Sequence, residues 1–124
     1  MNNFNEFLGI EIVGRHEDGI TIRIQLRQEL LNFGGVVHGG VTASAADIAV
    51  GVGLMDRFEG KQLVTTTELK INYLLPVTGA WLDARAKFVR VGKTLAVAQV
   101  DMADDRGRLV AIALVTYMLL PKPE

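Results

Sequence analysis

Alternation marks the first clear element. Ile20, Ile22, Ile24 and Leu26 are separated by Thr21, Arg23, Gln25 and Arg27, a period of two with one face for a core and one for water. The pattern returns in Ala80 to Val91, where Leu82, Ala84, Ala86 and Phe88 alternate with Trp81, Asp83, Arg85 and Lys87. In Val64 to Leu74, Leu69, Ile71 and Tyr73 fall on one face, and Thr66, Glu68, Lys70 and Asn72 on the other. Thr94 to Met102 predicts a further strand, and Ile10 to Val13 a short early one. Leu109 to Leu120 is apolar on both faces, as in a central strand or one buried at a subunit contact. Gly14 to Gly19, Pro76 to Gly79, Gly92 and Asp104 to Gly107 read as turns, and Pro121 to Glu124 as a frayed tail.

Between the second and third strands the period changes. Gly40 to Phe58 favours a helix, with many alanines and no proline, and its apolar residues cover most of the circumference. Such a helix is a buried one. Gly51 and Gly53 weaken it by roughly 1 kcal/mol each relative to alanine, so they are expected where another backbone packs closely. Asn3 to Leu8 predicts a short helix closing one edge. Two strands, one long helix and four strands make an α+β pattern. A single curved six-stranded antiparallel sheet wrapped around the helix would satisfy it, as one domain over residues 1–124. One helix covers such a sheet poorly, which predicts a second copy.

With 124 residues, 49% of them hydrophobic, the chain suits one core. A net charge of -1 lacks the strongly basic face of a nucleic-acid binder. Without cysteine there is no thiolate nucleophile and no Cys-based metal site. The first residues lack a signal-peptide pattern, and His38, Asp47 and glycines interrupt the most apolar stretch. No membrane span and a cytoplasmic location are expected.

Candidate chemistry gathers in Asn32 to Asp47, where a glycine-rich turn enters the helix. The first helical amides have no acceptor in their own helix, so an amide at Gly39 can face the oxygen anion of an attacked carbonyl; Gly39-Gly40 can equally be a hinge. Asp47 has no Lys or Arg three or four residues away, and reads either as a structural acceptor or as a nucleophile or general base. Eight residues separate the two, about 12 Å along the axis and roughly 80° off alignment. One chain cannot easily bring both to one carbonyl, so a shared site takes Gly39 from one subunit and Asp47 from another. Asn32 can hold a water or a substrate oxygen, or cap a turn. His38 can be a base or a positioning residue. A Ser44, His38, Asp47 triad lacks the sharp turn that exposes a nucleophilic serine.

These residues carry a resemblance. Asn32, Gly35-Val36-Val37-His38-Gly39-Gly40 and Ala46-Asp47-Ile48-Ala49 resemble the signature of hotdog-fold acyl-CoA thioesterases of the PaaI type, named for phenylacetic-acid degradation. Tyr73-Leu74-Leu75-Pro76, Val89 to Lys93 and Gly107 to Tyr117 continue it over nearly the whole chain. The resemblance implies a hotdog fold, assembly as dimers and commonly dimers of dimers, and hydrolysis of acyl-CoA without metal or separate cofactor, coenzyme A being part of the substrate. It implies that the Gly39 amide polarises the thioester, that Asp47 of the partner subunit attacks or activates water, and that Asn32 and His38 support the loop. It puts a water-orienting hydroxyl on Thr65 or Thr66, with Thr66 preferred because simple alternation sets it on the polar face with Glu68. Arg90 and Lys93 match a basic turn that binds coenzyme A phosphates. Hotdog dehydratases, acyl-carrier-protein thioesterases and non-catalytic acyl-CoA sensors are the alternatives on this fold.

Overall fold

A computed structural model describes residues 3–121; the expected frayed tail, beyond Pro121, lies outside the described residues. The short helix α1 (Phe4–Leu8) begins where the Asn3 side chain accepts the Glu6 amide at 2.9 Å, and ends at Gly9 with φ 72°. Strands β1 (Glu11–His16) and β2 (Gly19–Gln25) form a hairpin. A 3₁₀ turn (Gln28–Leu30) leads through a loop into the long helix α2 (Gly39–Arg57). Strands β3 (Leu63–Tyr73), β4 (Trp81–Val91), β5 (Leu95–Asp104) and β6 (Leu109–Leu120) follow. They join one antiparallel sheet in the order β1-β2-β4-β5-β6-β3. The α+β architecture expected from the sequence is therefore the observed one, and α2 lies within one residue of its predicted ends.

The first hairpin differs from expectation. The stretch Gly14–Gly19 reads as a turn, yet β1 runs to His16, which pairs with Gly19 and leaves only Glu17 and Asp18 to turn. Two effects hide the strand. It is the sheet's edge, so Arg15 and His16 are exposed and polar. A bulge between Ile12 and Gly14 also breaks the alternation.

Helix α2 rests on the sheet's inner face. Ala45, Ala46, Ala49, Val50 and Leu54 are at most 1% exposed, against Ile20, Ile22, Leu82, Ala84, Ala98 and Val100 on the strands. Alanines on both surfaces let helix and sheet approach closely. The two helix glycines serve this packing differently from expectation: side chains, not another backbone, occupy their space. A Cβ on Gly51 would lie 2.7 Å from the Tyr117 hydroxyl, and one on Gly53 would lie 3.0 Å from the Phe88 ring.

Helix α2 runs antiparallel to β3, with Gly39 beside Tyr73 and Asp47 beside Thr66. Strand β3 is the other edge, eleven residues long. It carries a bulge between Thr66 and Glu68, which reverses the face presented by every residue before it.

Candidate active site

The start of α2 is held by its loop. The Asn32 side-chain oxygen accepts the amides of Gly34 at 2.8 Å and Val36 at 3.4 Å, the turn-capping role of asparagine. Its side-chain nitrogen has no acceptor among the described residues. Leu31 pairs with Val37, and the Val37 amide donates to Val77 at 2.9 Å. His38 caps the helix: its Nδ1 accepts the Gly40 amide at 2.8 Å. That bond puts the proton of a neutral ring on Nε2 and removes Nδ1 from base chemistry. Of its two readings, His38 has the geometry of the positioning residue. The amides of Val41 and Thr42 turn back to the His38 carbonyl at 2.9 and 3.4 Å.

Of the four leading amides, only that of Gly39 has no acceptor among the described residues. The positive end of the helix dipole reinforces that donor. Tyr73 fixes the residue from the other side. Its hydroxyl donates to the Gly39 carbonyl at 2.7 Å, and a Cβ on Gly39 would lie 3.3 Å from the same oxygen.

Asp47 is half-buried in the third turn of α2. Two hydroxyls donate to the same oxygen: Thr66 to Oδ1 at 2.7 Å and Tyr117 to Oδ1 at 2.8 Å. The Tyr117 hydroxyl also lies 2.9 Å from the Asp47 carbonyl oxygen. Burial pushes the Tyr117 phenol well above its ordinary value, so it stays a proton donor. Oδ2 has no protein donor among the described residues and belongs to a carboxylate lining a cleft of about 450 Å³. The carboxylate is thus fixed through one oxygen and presented through the other.

Thr66 reaches Asp47 for a reason alternation does not show. It pairs with inward-facing Tyr117, while Glu68 pairs with Thr116 on the outer face. The bulge at Thr67 separates Thr66 from Glu68, so the expected shared polar face is corrected to opposite faces. Thr65 pairs with Met118 and lines the same cleft, but the hydroxyl that donates to Asp47 is that of Thr66.

Within one chain Gly39 and Asp47 do not converge. Gly39 lines a separate cleft of about 330 Å³ with Thr42, Tyr73 and Val77, sharing no residue with the cleft of Asp47. Nor do Ser44, His38 and Asp47 form a triad, since the Ser44 hydroxyl donates to the Gly40 carbonyl at 2.7 Å. Arg90 and Lys93 are exposed at the β4–β5 turn, without an ion-pair partner among the described residues. The Leu119 amide donates to Thr94 in that turn at 2.8 Å, which places the turn toward the Tyr117 end of the sheet. Among the described residues no group of three or more His, Cys, Asp or Glu side chains is arranged to hold a metal. Sequence reasoning missed Tyr73 and Tyr117. Their signal was a hydroxyl on an inward strand position opposite a helix glycine, Gly39 or Gly51.

A six-stranded antiparallel sheet wrapped around one long helix defines the hotdog class. The chain belongs to the thioesterase superfamily, whose family model matches residues 34–111. A thioesterase structure from Haemophilus influenzae is 26% identical, superposes with a TM-score of 0.92, and covers 99% of this chain and 86% of its own. A medium/long-chain acyl-CoA thioesterase of Escherichia coli is 29% identical over 94% of this chain and 84% of its own length. The phenylacetic acid degradation protein PaaI of Thermus thermophilus, in a mutant form, shares the fold at 24% identity and a TM-score of 0.82, covering 94% of this chain and 98% of its own. The chain is a thioester hydrolase of this superfamily.

Proposed function

We propose that this protein hydrolyses acyl-CoA thioesters at a site shared by two copies of the chain. The Gly39 amide of one copy donates to the thioester oxygen as it gains negative charge. Asp47 of the partner subunit either attacks the carbonyl carbon or takes a proton from the attacking water. Water adds to the acyl carbon, the carbon–sulfur bond breaks, and coenzyme A leaves as the thiol. The observation that carries this reading is the division of labour on α2: one unspent amide and one presented carboxylate, in separate clefts of one chain.

Several features support the pairing. Strand β3 ends the sheet with eleven residues of edge, a template for another strand. Phe33, beside Asn32 on the same loop, is fully exposed, as expected of an anchor that meets another surface. The assembly is a dimer at least, and a dimer of dimers by the family resemblance. Asn32 contributes its side-chain nitrogen to the water or thioester, His38 and Thr66 position Gly39 and Asp47, and Arg90 and Lys93 bind coenzyme A phosphates. No metal and no cofactor beyond the substrate's coenzyme A enters the reaction. No helix is long and apolar enough to cross a membrane among the described residues, and the proposed setting is the cytoplasm, as one domain.

The test is hydrolysis of a panel of acyl-CoAs by the purified protein and by Asp47→Asn. The variant is expected to lose roughly 10²–10⁴ of the rate while keeping its fold and oligomer. Undiminished hydrolysis by the variant, or a wild-type protein that retains acyl-CoA intact for hours, would overturn the proposal.

A further inference from the structure

The cleft beside Asp47 does not stop at the carboxylate. Past Asp47, Ile48, Val52 and Met55 follow on one stripe of α2, each one turn beyond the last, and all line the same cleft. Val64 of β3 and Phe4 of α1 add apolar walls. Met55 is the last α2 residue to line the cleft, eight positions beyond Asp47, or about 12 Å along the helix. Met55 and Phe4 are 48% and 55% exposed, so apolar surface lies open in a cleft that begins at a charged group. Helix α1 is held in place by buried Leu8 and by Arg27, whose guanidinium stacks over the Phe7 ring at 4.7 Å.

This shape discriminates between acyl groups. An aromatic acid is short and flat; it would cover Ile48 and leave Val52, Met55 and Phe4 in water. A straight alkyl chain follows the stripe to its end. Methionine adapts its shape to such a chain. Beyond Asp47 the α2 side of the cleft is apolar throughout, and the polar side chains of its far walls are Asn5 of α1 and Thr65 of β3.

We infer that the substrate is a straight-chain aliphatic acyl thioester of medium length, its chain lying from Ile48 to Met55, with Met55 and Phe4 setting the longest chain accommodated. This rests on the proposed hydrolysis at Asp47. From Ile48 to Met55 the apolar stripe runs about 10 Å, which matches roughly eight extended carbons.

The experiment is a series of straight-chain acyl-CoAs from acetyl to palmitoyl, with phenylacetyl-CoA and benzoyl-CoA alongside. In the wild-type protein kcat/KM should rise by about fourfold for each methylene that becomes buried, peak at medium length, and exceed the aromatic substrates at least tenfold. Met55→Ala should move the peak to longer chains, and Val52→Phe to shorter ones. Phe4→Ala should likewise move the peak to longer chains. A peak on an aromatic or acetyl substrate, or a profile that neither Met55→Ala nor Val52→Phe shifts, would overturn the inference. Absence of hydrolysis across the whole series would instead overturn the proposed function on which it rests.

Discussion

The start and the middle of α2 solve opposite problems with the same kind of residue. At the start, the useful group is a donor, and the helix supplies it without a side chain. Three of the four leading amides are satisfied locally, and the Gly39 amide is left over. In the middle, the useful group is an acceptor, and the helix supplies nothing: every backbone amide there is bonded within α2, and the dipole is felt only near the ends. The sheet must furnish Asp47 with donors, Thr66 from β3 and Tyr117 from β6. A tyrosine touches both places. Tyr73 donates to the Gly39 carbonyl, where any neutral contact would do much the same, whereas Tyr117 donates to a carboxylate that the protein half-buries. The fold gives the donor half of the site almost by default and has to build the acceptor half.

The largest expected effect tests whether the two halves meet across subunits. Gly39→Pro removes the amide hydrogen and adds a ring whose Cβ would lie 3.3 Å from the Tyr73 hydroxyl, so Gly39→Ala, which adds that Cβ and keeps the amide, is its control. Proline is favoured at the first helical position, and His38, with φ -59° and ψ 135°, already has the extended conformation proline demands of its predecessor. Gly39→Pro and Asp47→Asn are each expected to lose at least 10²-fold in kcat, as for loss of an oxyanion donor or a base. Unfolded together and refolded as a mixture, they should regain about a quarter of wild-type activity, because half the dimers are mixed and each carries one intact site. No recovery in a mixture proven to exchange subunits would put Gly39 and Asp47 to work separately.

Next comes the acceptor half. Tyr117→Phe leaves Oδ1 of Asp47 with Thr66 alone. A hydrogen bond to a charged group is worth about 1.5–3 kcal/mol, so kcat should fall between roughly tenfold and a hundredfold, with KM little changed. Because burial holds the Tyr117 phenol above its ordinary value, the wild-type rate should show no alkaline decline from this group up to the ordinary tyrosine range. Gly51→Ala approaches the same contact from the helix. Its methyl would lie 2.7 Å from the Tyr117 hydroxyl, so it should reproduce much of the Tyr117→Phe loss. The substitution also gains up to about 1 kcal/mol of helix propensity. Activity falling while the melting temperature holds or rises would separate displacement of Tyr117 from general destabilisation.

The same asymmetry explains what could be read from the sequence. Helix α2, the strands with clean alternation, and the glycine turn all left periodic or compositional marks, because burial on one face selects residues at fixed spacing. Gly39 and Asp47 stood out because a glycine at a helix start and a lone acid on an apolar helix are conspicuous. The groups that hold them did not. Simple alternation puts Thr66 on one face with Glu68, whereas the bulge at Thr67 puts the two on opposite faces. One extra residue in Thr65-Thr66-Thr67-Glu68 changes no composition and so leaves no trace. Tyr73 and Tyr117 sat on inward positions and read as core. Only packing reveals that each hydroxyl ends on α2. A glycine such as Gly51 reads as a site of backbone contact because a sequence does not say that a strand's side chain, here Tyr117, fills the missing Cβ.

The smallest effect is the most searching for the comparison. Tyr73→Phe deletes the hydroxyl that donates to the Gly39 carbonyl at 2.7 Å and leaves the ring in place. The acceptor is neutral and its region is exposed, so the net loss should be about 0.5–1.5 kcal/mol of stability. The Gly39 amide keeps its direction, because that is set by the His38 cap and the first helical turn. The expected fall in kcat is therefore at most about threefold, smaller than for Tyr117→Phe, with the same acyl-chain preference. Side-by-side single-turnover rates of the two variants decide the matter. Should Tyr73→Phe cost as much as Tyr117→Phe, the Gly39 amide would not be a by-product of the helix start. It would be a built group, as dependent on the sheet as Asp47.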